Sequence, residues 1–268
     1  MIAWLPIVVL LAAAAIEPLR LPALFALLVG FVVIGGSRRG IERSGSAAAF
    51  VLGGCLVAVL GMAWSGVALP PEALNGGSCA TLLAPFALYR AAGALLVVLA
   101  MAIVAHRLRT TAAEIGLRRP SRIGLGVAIG ALAAVGIVAT VLGPTIAAPF
   151  FGPLPVRTGN LVALAPALLF AVANATMEEV AYRGALLRSI MRWRGPLLAL
   201  VIQAAAFGLA HGVGGAFTGS PLPVMAATAA TGLAFGALSL RTGSLLLPIA
   251  LHAALDIPIY YANACVVR

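Results

Sequence analysis

Apolar residues run along this chain in blocks of roughly 15 to 25, each closed by a short stretch rich in arginine, glycine or proline. Taking about 20 apolar residues as one membrane crossing, the blocks predict helices at about 2–16, 19–36, 46–69, 80–105, 123–143, 160–187, 196–211, 221–240 and 244–262. The fold class is therefore expected to be all-α, a polytopic membrane helix bundle of about 8–9 transmembrane helices. Two blocks are irregular. The first is short, and the fourth contains Pro85 and Arg90, so either is expected to be re-entrant or broken. The first fifteen residues resemble the apolar core of a signal peptide, but no basic residue precedes them and a second apolar run follows at once, so a first membrane helix is expected instead.

Composition supports this reading: 63% of residues are hydrophobic, 9% are charged and the mean hydropathy is +1.13, far from the balance of a soluble domain. The net charge of +10 comes from 17 arginines with no lysine. Their placement argues for lipid topology rather than nucleic acid. Arg38, Arg39 and Arg43, then Arg107, Arg109, Arg118, Arg119 and Arg122, then Arg188, Arg192 and Arg194, and finally Arg241 all fall on one side of a nine-helix arrangement. The positive-inside rule makes that side cytoplasmic and puts the N-terminus inside, in a multi-pass protein of the cell membrane. The opposite side carries only Arg20, Arg157 and Arg268, with proline- and glycine-rich loops at Pro70-Pro71, Gly76-Gly77 and Pro144 to Pro155. Cys55, Cys79 and Cys265 lack metal-finger spacing and read as packing residues. Arginine and alanine usage suggests a bacterial source.

Ionisable residues divide the chain. Residues 1–122 hold few intramembrane polar groups apart from Arg90 and read as accessory N-terminal helices, whereas residues 123–268 hold Glu178, Glu179, Arg183, His211, His252 and Asp256 and read as the catalytic core. Charges at bilayer depth are costly and mark function. On a helix, Arg183 lies one turn beyond Glu179 and can neutralise it, while Glu178 points to the side with a like charge next to it and little water, the setting of a general base. A purely structural ion pair would account for Glu179 and Arg183 but leaves Glu178 uncompensated. His211 follows Phe207 by one turn, and His252 precedes Asp256 by one turn, so each pair shares a helix face. Gly208, Gly212, Gly214 and Gly215 around His211 suit close helix packing or a loop, or backbone access for an extended substrate. Counting helical rise from the arginine-rich ends places His211 deeper than Glu178 and His252, unless its helix begins below the membrane at Trp193–Pro196.

These residues form three spaced motifs in order. Glu178, Glu179 and Arg183 give Glu-Glu, three residues, Arg; Phe207 and His211 give Phe, three residues, His; His252 and Asp256 give His, three residues, Asp. With the stretches Glu178–Leu187 and Thr231–His252, residues 174–256 resemble the CAAX protease and bacteriocin-processing family of intramembrane proteases, also called the Abi family. The resemblance implies hydrolysis of a peptide bond in or near the bilayer, with Glu178 activating a water, His211 holding and polarising it, and His252 with Asp256 at the oxyanion position. Glu179 and Arg183 would form the supporting ion pair.

Asp256 departs from the more usual Asn. An ionised carboxylate cannot donate to an oxyanion, so Asp256 is either protonated by burial or orients the His252 ring. Glu178, His211, His252 and Asp256 are also acceptable zinc ligands, but they lack HExxH spacing, so no cofactor is expected and zinc is the minor alternative. The expected cavity is enclosed by the last four helices and opens towards the cytoplasmic leaflet. Its substrate is expected to be a membrane-associated peptide or protein, with the lipid bilayer as the other partner. Two further readings remain: an inactive relative acting as a membrane immunity or scaffold protein, suggested by Asp256, and an ion-coupled transporter, disfavoured by the absence of inverted repeats.

Overall fold

The computed structural model describes residues 3–35, 46–65, 84–118, 122–151, 163–213 and 221–264. Arg38, Arg39, Glu42, Arg43, Pro70, Pro71, Glu72, Gly76, Gly77, Cys79, Arg119, Pro155, Arg157, Gly214, Gly215, Cys265 and Arg268 lie outside the described residues. Among those described, nine helices follow one another without a strand: α1 (Trp4–Ala15), α2 (Arg20–Gly35), α3 (Ser46–Ser65), α4 (Pro85–Arg107), α5 (Arg122–Phe151), α6 (Leu164–Arg194), α7 (Pro196–Val213), α8 (Leu222–Thr242) and α9 (Leu246–Ala264). Six of them, α2, α3, α4, α6, α7 and α8, are long and apolar enough to cross a membrane. The chain is a multi-pass helical membrane protein.

Burial sorts the helices into lining and interior. Only 22% of the apolar window of α2 is buried, with Leu21, Phe25, Val32 and Val33 turned outward, whereas 78% of α3 is buried, so α3 runs through the middle. Outward aliphatic side chains need no polar partner in hydrocarbon, and helices satisfy their own backbone there. Small residues let α3 approach α6. A Cβ added at Gly54 would lie 2.9 Å from the Ala185 carbonyl oxygen and 2.6 Å from Ser189 Oγ, so only glycine fits. Cys55 packs in the same buried cluster as a free thiol.

One expected irregularity and one expected boundary resolve differently. The fourth helix is unbroken: Pro85 occupies its first turn, where no intrahelical N–H is required, and Arg90 is accommodated by donating from Nη1 to Ser65 Oγ at 2.9 Å. The fifth helix runs on to Phe151 rather than ending near residue 143, so the expected loop at Pro144 is helical. A proline removes one backbone bond, and a membrane helix tolerates this because the alternative, open backbone in lipid, leaves more groups unsatisfied.

Tight turns fix the late helices against each other. Gly195 (φ 82°) separates α6 from α7, and Pro196 then opens α7. Gly243 (φ 67°) caps α8 in the left-handed conformation before α9 starts. The segment between α4 and α5 carries a reciprocal cap. Glu114 Oε2 accepts from the Thr111 backbone N–H at 2.7 Å, and Thr111 Oγ1 accepts from the Glu114 N–H at 3.3 Å. The Leu245 N–H, donating to the Gly116 carbonyl at 3.0 Å, ties this segment to the start of α9.

Candidate active site

The Glu-Glu pair lies near the middle of α6, where the helix changes its winding. Leu164–Glu179 is α-helical, Val180–Leu187 is a π-helical stretch, and Arg188–Arg194 returns to α. Such wider turns are frequent at functional sites. The sequence carries no periodicity signal for it.

Glu179 and Arg183 form the expected i, i+4 pair at 2.8 Å, and neither side chain is exposed at all. The same Glu179 Oε1 lies 2.8 Å from His252 Nδ1, so that ring nitrogen carries the proton and donates to the carboxylate. Arg183 in turn lies over the Phe207 ring, its guanidinium carbon 4.4 Å from the centroid. Glu179 is thus the residue that orients His252. Asp256, for which protonation by burial and orientation of the His252 ring are both open readings, has its Oδ1 3.8 Å from His252 Nε2, beyond hydrogen-bond reach.

Asp256 is engaged elsewhere. Its Oδ2 accepts from Asn174 Nδ2 at 2.9 Å, and the same amide nitrogen lies 3.4 Å from Glu178 Oε1. Asn174 was missed in the sequence, although it stands one helical turn before Glu178 in an otherwise apolar run, which is the signal that finds it.

Glu178 turns about 100° away from Glu179 around the helix and approaches the other nitrogen of the same His252 ring. Its Oε2 accepts no hydrogen bond from the described residues and faces two imidazoles, with His252 Nε2 at 3.5 Å and His211 Nε2 at 3.7 Å. His211 donates from Nδ1 to the Phe207 carbonyl at 2.8 Å, which leaves its Nε2 turned towards Glu178. The Phe-x-x-x-His spacing therefore works through the backbone as well as through ring contact, the two ring centroids being 4.4 Å apart. The depth mismatch has a simple origin. Because α6 continues helically to Arg194, Glu178 and His211 stand 17 and 16 residues from the same Gly195 turn, one on each helix of the hairpin. They are level.

A cavity of about 160 Å³ reaches Glu178 and His211. Its wall includes Arg20 of α2, Met62 and Ser65 of α3 and Arg90 of α4, together with Tyr182 and Ala210. The last four helices alone do not enclose it. These N-terminal residues stand at the helix ends remote from the arginine-rich loops, so the lining extends away from the side on which an opening was expected. Arg20, nearly buried, donates to the Met62 and Ala210 carbonyls at 3.3 and 3.2 Å and joins α2, α3 and α7 beside His211. Close packing explains Gly208 and Gly212: a Cβ at Gly208 would lie 2.6 Å from the Met225 carbonyl oxygen, and one at Gly212 would strike the Met225 side chain.

No group of three or more His, Cys, Asp and Glu side chains among the described residues is arranged to hold a metal ion.

Comparison with known families picks out the same part of the chain. Residues 160–258 match the Rce1-like family, described as Type II CAAX prenyl endopeptidase Rce1-like. The Rce1-like segment contains Asn174, the Glu-Glu-Arg motif, His211, His252 and Asp256, and it leaves out α1 to α5. No curated protein and no solved structure matches the chain.

Proposed function

We propose that this protein is an intramembrane endopeptidase in which Glu178 activates a water to cleave a peptide bond in or near the bilayer. The observation that carries the reading is the face of Glu178. A buried carboxylate oxygen without a donor among the described residues looks across 3.5 and 3.7 Å at two imidazole nitrogens, and its residue lines a cavity. A water within hydrogen-bond reach of all three fits that spacing. Glu178 takes its proton, the hydroxyl oxygen adds to the scissile carbonyl carbon, and the carbonyl oxygen becomes the oxyanion. Three carboxylates face His252, namely Glu179, Glu178 and Asp256, and an imidazolium there balances charge and donates from Nε2 to the oxyanion. When the tetrahedral intermediate collapses, the C–N bond breaks and Glu178 returns its proton to the leaving amine. His211 holds the water. In this reading the arginine-rich side is cytoplasmic and includes the N-terminus; Trp4 of α1 stacks edge-on against Trp193 at that end of the bundle.

The test uses the full chain in proteoliposomes with two labelled membrane peptides, a prenylated CaaX tail and a bacteriocin-type leader, and product masses as readout. A cut is expected in at least one, lost by about a thousandfold in Glu178→Gln and about a hundredfold in His211→Ala. The reading makes no use of a metal, so phenanthroline is expected to leave the rate unchanged. Retained turnover in both variants, or no cut in either peptide, contradicts it.

A further inference from the structure

Asn174 is a buried amide between two buried carboxylates on different helices, Glu178 on its own α6 and Asp256 on α9. Both neighbours present acceptor oxygens, so the amide nitrogen rather than the oxygen must face them, and its two hydrogens are divided between them. The amide oxygen, Oδ1, is buried and accepts no hydrogen bond among the described residues. Asn174 is therefore placed for its donors at the expense of its acceptor.

The division has a geometric consequence. Engaging Glu178 Oε1 turns the other oxygen, Oε2, towards His211 and His252, and engaging Asp256 Oδ2 keeps that carboxylate 3.8 Å from His252 Nε2 instead of hydrogen-bonded to it. His252 is then left to Glu179 on one nitrogen and to Glu178 Oε2, 3.5 Å away, on the other. We propose that Asn174 is a positioning residue that selects Oε2 as the reacting oxygen of Glu178 and withholds Asp256 from His252. This rests on the peptidase reading above.

The experiment compares Asn174→Leu, Asn174→Asp and the exchange variant Asn174→Asp/Asp256→Asn in the full-length protein. Leucine keeps the branched shape and heavy-atom count and removes the donors. The exchange returns an amide to the 2.9 Å contact from the other helix, but not the donor to Glu178 Oε1. On whichever labelled peptide the wild type cuts, both single variants are expected to lose about tenfold or more in kcat with KM little changed, and the exchange to recover part of that loss. A second readout needs no turnover: nitrogen-15 spectra of labelled histidines, in which the Nε2 signals of His211 and His252 are expected to move in Asn174→Leu and to return towards wild type in the exchange. Wild-type kcat in Asn174→Leu, or unmoved histidine signals, overturns the proposal. Failure of the peptidase reading shows differently, as turnover that survives Glu178→Gln.

Discussion

The two sides of α6 at its midpoint offer a comparison with chemistry held constant. Glu178 and Glu179 are adjacent carboxylates, both buried. On the Glu179 side one oxygen is shared by Arg183 and His252 at 2.8 Å each, and Arg183 is covered by Phe207. On the Glu178 side the nearest nitrogens to Oε2 stand at 3.5 and 3.7 Å, and a cavity adjoins. On one side Oε1 takes both partners and ties helices together, although Glu179 Oε2 is buried and accepts no hydrogen bond among the described residues; on the other, the unpartnered Oε2 of Glu178 adjoins a cavity with room for a small molecule. Helix geometry produces this separation, because adjacent residues diverge by about 100°. A buried carboxylate thus becomes structural or reactive according to what completes its hydrogen bonds.

Breaking the closed side is expected to cost most. Arg183→Met leaves Glu179 buried without its cation, and a loss of about 3–5 kcal/mol is expected, read from thermal or chemical unfolding in detergent. Next comes the support beneath it. Gly54→Val drives a side chain into the Ala185 carbonyl and Ser189 and is expected to destabilise by about 1–3 kcal/mol, with activity falling as the π-helical stretch shifts. Unchanged stability in either variant means that the closed side is not what holds α6. A smaller effect sharpens the contrast with surface charge. The pair Arg192 and Glu114, 2.7 Å apart but exposed, is expected to contribute little, so Arg192→Ala should leave the unfolding midpoint nearly unchanged. Glu114 itself is held below its usual carboxylate value, chiefly by the Thr111 backbone N–H. Its small stabilisation is accordingly present above the unfolded carboxylate value and lost as pH falls through the lower folded one, which an acid titration of Glu114→Gln against wild type would read.

Much of the architecture was legible because hydrophobic block length and helix length obey the same constraint. All nine helices lie on the predicted blocks, with the largest boundary error at Pro144, where lipid overrides the usual meaning of proline. The polar cluster was legible because ionisable groups in apolar helices are few. Its internal partnerships were less so. Spacing showed that Glu179 reaches Arg183, but nothing local links Glu179 to His252, 73 positions away, so that contact was not foreseen. The π-helical stretch has no sequence period of its own. The contribution of Arg20, Ser65 and Arg90 to the cavity depends on how α2, α3 and α4 pack, which hydropathy does not encode.

The central claim is that the two glutamates have separate jobs, and a paired substitution tests it most directly. Glu178→Gln and Glu179→Gln are to be measured side by side for unfolding midpoint and for turnover of the labelled peptide. Glu178→Gln is expected to keep the wild-type midpoint and lose cleavage, while Glu179→Gln, which leaves Arg183 without its charge partner, loses about 3 kcal/mol of stability. A folded, active Glu178→Gln protein beside a stable but inactive Glu179→Gln protein would contradict the account.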